Sequence, residues 1–154
     1  MRSPGVKFPP PVCFAGPWLV GYAVQQVANL PIVPAGLARS AHHVGALMMI
    51  AALGLLGWAI SRFLRAGTSL IPHKPANAFV LSGPYQLTRN PMYVAMATVH
   101  LGSALYDNAL FLGVGVPVGM YLMQRFVIAR EERYLTHRFG EPYVAYRARV
   151  RRWL

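Results

Sequence analysis

The chain has 154 residues, of which 55% are hydrophobic and only 12% charged. A soluble domain carries about twice that share of charge, so too little polar material is present to clothe a soluble core. The net charge of +11 would suggest nucleic acid in a soluble protein, but basic residues flanking apolar spans are what the positive-inside bias produces, and no nucleic-acid partner is expected.

Residues 8–38, 40–61, 90–106 and 108–124 contain no charged side chain. A membrane helix needs about 20 mostly apolar residues, with a range of about 17–25. The reading is an all-α integral membrane protein with about four transmembrane helices, at about 13–33, 42–61, 91–106 and 109–128, in a single membrane domain over 1–154. The first runs from Cys13 to Val33 and is read as a retained span, because Pro17, Pro31 and Pro34 interrupt it and it is longer than a signal-peptide core. Gln25, Gln26 and Asn29 in its later half are costly against lipid and are expected to face inward or lie near the interface. The second opens at His42-His43 and is rich in small residues, among them Gly45, Ala52, Gly54, Gly57 and Ala59, which permit close helix approach in lipid.

Residues 66–90 are expected to form a long loop, broken by Gly67, Pro72, Pro75, Gly83 and Pro84. Connectors of that length are uncommon unless functional. The third span starts at Pro91, a favoured first helical position, and a tight Asp107-Asn108 turn sets the fourth span antiparallel beside it. Beyond it, 129–154 reads as cytoplasmic interfacial helices. One ends at Gly140, another starts at Pro142, and a tail of alternating basic and apolar residues, Arg147 to Trp153, is expected on anionic headgroups. With an even number of spans, Arg39 is the one Lys or Arg on the far side. Both termini, the long loop and the arginine-rich end then face the cytoplasm.

Two blocks could carry chemistry on that face. Arg89-Asn90-Pro91-Met92-Tyr93 stands at the mouth of the third span, and a guanidinium fork suits a carboxylate. Glu131 and Glu132, two of only four acids, stand just past the fourth. Left to local partners, they would pair with Arg125, Arg130, Arg133 or Arg138 for about 0.3–0.5 kcal/mol each; the functional alternative is a carboxylate facing a cationic ligand. His100, in mid-span, is expected to make an interhelical hydrogen bond or to touch ligand. The lone Cys13 permits no internal disulfide, and the histidines at 42, 43, 73, 100 and 137 lack ligand spacing, so no metal site is expected. No phosphate-binding glycine loop or nucleophile elbow occurs.

The ordered set Gly83-Pro84-Tyr85, Arg89-Asn90-Pro91-x-Tyr93, Glu131-Glu132 and Phe139-Gly140-x-x-Tyr143-x-x-Tyr146 resembles the isoprenylcysteine carboxyl methyltransferases and their phospholipid N-methyltransferase relatives, over about residues 65–154. The resemblance implies S-adenosylmethionine as cofactor, bound by Leu81, Gly83, Arg89, Asn90, Pro91, Tyr93, Glu131 and Glu132, with Arg89 and Glu131 nearest the chemistry. Gly67-Thr68 matches a glycine-threonine element of the relatives. Many members carry histidine where this chain has Asn90, which hydrogen-bonds but does not titrate near neutrality. The implied acceptor is a lipophilic molecule or lipid headgroup drawn from the bilayer. An NADPH-dependent membrane reductase, similar in its C-terminal pattern, and a non-catalytic membrane subunit on the same scaffold are the alternatives.

Overall fold

The computed structural model describes residues 5–6, 9–67 and 79–154. Thr68, Pro72, His73, Lys74 and Pro75 lie outside the described residues, as do Arg2 and Lys7. Every regular element among the described residues is helical: α1 (Pro10–Ala28), α2 (Ala35–Arg65), α3 (Pro91–Tyr106), α4 (Leu110–Met123), α5 (Ala129–Phe139) and α6 (Glu141–Arg149). A single 3-10 turn, Gly83–Gln86, lies in the long loop.

α2 and the continuous rod Leu110–Phe139, formed by α4, a π turn and α5, are long and apolar enough to cross a membrane. The other two expected spans are weaker. α3 has 16 residues, about 24 Å at ~1.5 Å per residue, against a hydrocarbon core of ~30 Å. α1 has the length but is diluted by Pro10, Pro11, Pro17, Gln25 and Gln26. It also stops before Val33, because Asn29 turns into the left-handed region (φ 46°) and returns its N–H to the Gln25 carbonyl. α2 is longer than expected at both ends, since nothing between Pro34 and Gly67 breaks it.

The exterior is apolar, which separates these helices from soluble ones. Only 17% of the apolar window of α2 is buried. Its buried residues are all small, Ala41, Gly45, Ala52 and Ala59, spaced four, seven and seven apart along a single stripe. Leu37, Val44, Leu47, Ile50, Leu53 and Leu64 point outward. A soluble helix buries its large apolar residues and exposes polar ones. Here the large residues face what would be lipid and the small ones face protein.

α2 packs on α3, and α1 on α4, with α3 and α4 side by side between them. Gly45 and Gly102 bring α2 and α3 together: a Cβ at Gly45 would collide with the backbone of Gly102 and Tyr106. Gly54 and Gly57, by contrast, face open space. At the far end the two connections are tied. Asn108 (φ 48°) accepts from the amides of Ile32 and Val33, both at 2.9 Å, and donates to the Val33 carbonyl at 3.0 Å. Gln25 is buried there, donating to the Leu30 carbonyl and accepting from the Phe111 amide, whereas Gln26 is exposed. His100 is buried against Phe14 and Gly115; its ring nitrogens find no well-aligned hydrogen-bond partner among the described residues, and its interhelical polar contact is a looser one with the backbone of Leu112 on α4.

These contacts give different expectations for the same methyl group at two positions of α2. Gly45→Ala should separate α2 from α3 at a cost of about 1–3 kcal/mol. Gly54→Ala should be neutral or slightly stabilising through helix propensity. Thermal unfolding of the two variants in one detergent measures the difference.

Candidate functional site

The loop that enters α3 is fixed first by backbone geometry. Gly83 has φ 65° and sits where a Cβ would lie 2.9 Å from Arg62 Nε and 3.1 Å from Trp58 Nε1, so the 3-10 turn rests directly on the end of α2. Tyr85 is buried, and its carbonyl accepts from the Tyr146 hydroxyl at 2.7 Å. Phe79, Phe139, Tyr143 and Tyr146 pack as one aromatic group, with Phe79 and Phe139 ring centres 4.8 Å apart. The aromatic residues of α5 and α6 thus hold the loop from outside.

The C-terminal tail closes the arrangement. The Arg89 amide donates to the Arg151 carbonyl at 2.9 Å. The Arg152 carbonyl accepts twice, from Thr88 Oγ1 at 3.0 Å and from Asn90 Nδ2 at 2.9 Å. Thr88 Oγ1 also accepts from the Asn90 amide at 3.2 Å. Asn90 therefore spends its side-chain donor on fastening the tail. Pro91 opens α3 immediately after it, buried at the first helical position. Trp153 donates to Gln124 Oε1 at 3.3 Å, tying the end of the tail to the π turn. The tail was expected on headgroups; Arg149 and Arg151 remain exposed, but Arg152 turns inward, because its carbonyl and guanidinium both find partners there.

The acids are delivered by the π turn Gln124–Ile128. One extra residue in a helical turn rotates everything after it, and such turns recur at functional sites. Val127 and Ile128 are fully buried beside Tyr93 and Ala97, which anchors the turn. Charge resumes at Arg125, so α5 lies beyond the apolar stretch. Glu132 then meets Arg89 Nη1 at 3.1 Å, and its two oxygens take Arg152 Nε at 3.0 Å and Nη2 at 2.6 Å. The local arginine pairs expected on α5 are not the ones formed. The side chains of Arg89 and Glu132 are 11% and 8% exposed, so this is a buried charge cluster assembled from α3's mouth, α5 and the tail. Arg89 Nε has no hydrogen-bond partner among the described residues.

Glu131 faces the other way, and its Oε1 accepts from the Tyr93 hydroxyl at 2.8 Å. It retains some accessible surface, yet protein crowds it closely. Burial, the largest influence, pushes its carboxyl up from 4.5 to about 7; the Tyr93 hydroxyl pulls it down in part, and the Glu132 charge pushes it up further. This carboxylate can therefore take up or release a proton near neutrality, and a cation beside it would hold it ionised.

Arg89 thus meets Glu132 and Tyr93 meets Glu131, while Asn90 is joined to the same cluster through the Arg152 carbonyl and Pro91 opens the helix beside it. Gly83 stands behind the loop against α2. Leu81 is 41% exposed and makes no polar contact with the cluster among the described residues. Sequence reasoning passed over Arg152, which completes the shell of Glu132, and Thr88, which anchors the tail. No three His, Cys, Asp or Glu side chains gather as metal ligands among the described residues.

Comparison with known proteins bears on what such a site serves. The family model described as phospholipid methyltransferase matches residues 40–142, more than half of the chain. An uncharacterized protein of Haemophilus influenzae is 36% identical over 63 residues, which are 41% of this chain and 100% of that protein. The cobalt-zinc-cadmium resistance protein CzcN of Cupriavidus metallidurans is 32% identical over 94 residues, 60% of this chain but only 44% of its own length. The chain thus spans less than half of CzcN. No solved structure matches it.

The cluster yields a ranking of stabilities. Glu132→Gln leaves two guanidiniums without a counter-charge and should cost about 3–5 kcal/mol. Asn90→Ala removes one bond to the tail and should cost about 0.5–1.5 kcal/mol. Equilibrium unfolding in mixed micelles checks the order; equal losses would contradict it.

Proposed function

The chain belongs to the phospholipid methyltransferase family, and on that premise we propose that it transfers a methyl group from S-adenosylmethionine to a lipophilic acceptor held in the membrane. The observation that carries this reading is the meeting of Arg89, Tyr93, Glu131 and Glu132 at the end of two apolar helices. The donor set fits a cofactor bearing both a carboxylate and cationic groups. Arg89 offers a buried guanidinium Nε with no partner among the described residues, suited to a carboxylate. Glu131 offers a crowded carboxylate beside a tyrosine hydroxyl, suited to a cation.

When bound, the cofactor supplies an already electrophilic methyl group, so alignment and water exclusion are the protein's part. Arg89 and Glu131 bind and orient. Glu132, itself clasped by Arg152, holds Arg89 in place, since a free guanidinium at that depth would otherwise swing or draw in water. Leu81, Gly83, Asn90 and Pro91 shape the loop over the cofactor. The acceptor comes sideways from lipid between helices. In this reading α1 and α3 also cross the bilayer, the short α3 being accommodated by local thinning of the bilayer, and the loop, the acids and the tail face the cytoplasm with both termini.

Two measurements test the proposal. Purified protein supplied with radiolabelled S-adenosylmethionine should label a lipid-soluble product from extracted membranes; a label that stays with water in every extract would remove the proposal. In calorimetry, Glu131→Lys should weaken cofactor binding by about 2–5 kcal/mol or abolish it, with helix content retained.

The pH dependence has a definite sign. Glu131 is neutral below about 7 and charged above it, and a cationic ligand prefers the charged form. Affinity should therefore rise from about pH 6 to about pH 8, and Glu131→Gln should flatten that rise. An affinity falling over the same interval would contradict the assigned role of Glu131.

A further inference from the structure

A cavity of about 620 Å³ opens on the outer side of α5 and is lined by Arg125, Arg133, His137, Arg147, Arg152 and Glu132, among others. Its volume lies in the range of small-molecule sites, about 300–1,000 Å³. Its charge is lopsided. Glu132 is the single acid of the lining, and both its oxygens are already engaged by Arg152, with Arg89 at 3.1 Å as well. Arg125, Arg133 and Arg147 have no acidic partner among the described residues. Arg147 reaches only the Thr136 hydroxyl at 3.2 Å, and Arg125 lies over the Phe126 ring at 5.9 Å.

Three uncompensated guanidiniums around one hollow repel each other, and a chain with four acids in all has no internal counter-charge to spare. An external anion relieves that repulsion. Arginine forks match phosphate oxygens in geometry as well as charge. The position decides the source of the phosphate. Arg125 is the first charge after the apolar stretch of α4, so the cavity opens at the surface where headgroups lie. We propose that it is a binding site for the phosphate headgroup of an anionic membrane lipid, distinct from the methyl acceptor. Arg152 lines the cavity and also holds Glu132. A phosphate bound there draws on the same guanidinium, and lipid occupancy is thereby coupled to the Arg89–Glu132 cluster.

This inference does not depend on the methyl-transfer reading, because its test contains no cofactor. Purified full-length protein in non-ionic detergent is titrated with short-chain phosphatidylglycerol, short-chain phosphatidylcholine and inorganic phosphate in separate arms. Phosphatidylglycerol should bind at least about tenfold more tightly than phosphatidylcholine, and the double variant Arg133→Gln/Arg147→Gln should lose about tenfold or more of that affinity. Arg39→Gln, at the other end of the molecule, should leave it unchanged. Helix content by circular dichroism controls for folding; should the double variant unfold, Arg125→Gln carries the same expectation. Equal affinity for the two lipids overturns the proposal, as does an unaffected double variant. A matching loss in Arg39→Gln would mean diffuse attraction to the whole cationic chain. Inorganic phosphate binding as tightly as phosphatidylglycerol would make the ligand a free anion rather than a lipid.

Discussion

One buried carboxylate organises the polar end of this protein. Glu132 is clasped by Arg152 and faced by Arg89, and these three come from the mouth of α3, from α5 and from the tail. A cluster of this kind contributes little net stability by itself, because desolvating the charges offsets most of their attraction. Its consequence is specificity. Removing Glu132 would leave two guanidiniums without a counter-charge, so the carboxylate obliges the three segments to stay in one arrangement. The backbone bonds from Arg89, Thr88 and Asn90 to the tail fix the same arrangement with neutral groups. The result is a rigid frame beside Glu131, whose carboxylate keeps the adjustable charge.

The membrane supplies the other constraint. Large apolar side chains cover the outside of α2 while alanines and glycines meet α3, the reverse of a soluble bundle. Charge is confined to the ends, so buried polar chemistry has to sit there too. The π turn is the device that makes this possible. It adds a residue to the helix ahead of Glu131 and Glu132 and so changes the angle at which they leave the rod. The turn, pinned by Val127 and Ile128, does this without breaking a rod long and apolar enough to cross a membrane.

Much of this was legible in the sequence, and the failures have identifiable causes. The start of α3 at Pro91 and the tight turn at Asp107-Asn108 follow from stereochemistry, as does the end of α5 at Gly140. The end of α1 did not, since Asn29 is an ordinary polar residue until its backbone adopts a left-handed conformation. The length of α2 was underestimated because hydropathy marks the bilayer-facing part of a helix and not where it stops. That Arg89 and the acids stand together was expected from the order of the motifs. The partner of Glu132 was not, for Arg152 lies in a run of arginines whose alternation reads as surface. Only tertiary structure distinguishes it from Arg149 and Arg151, which stay exposed. Asn90 likewise gives its side-chain donor to the tail, a tertiary contact that the local sequence does not announce.

The central claim is that the loop before α3, the acid pair and the tail act as one binding unit. Hydrogen–deuterium exchange on the full chain, with and without saturating S-adenosylmethionine, tests it most directly. The account predicts that peptides covering Leu81–Tyr93, α5 and Val150–Leu154 slow together on addition of the cofactor, with the Asn108 end unchanged. Protection confined to one of the three segments, or absent from all of them while the cofactor is bound, would contradict it.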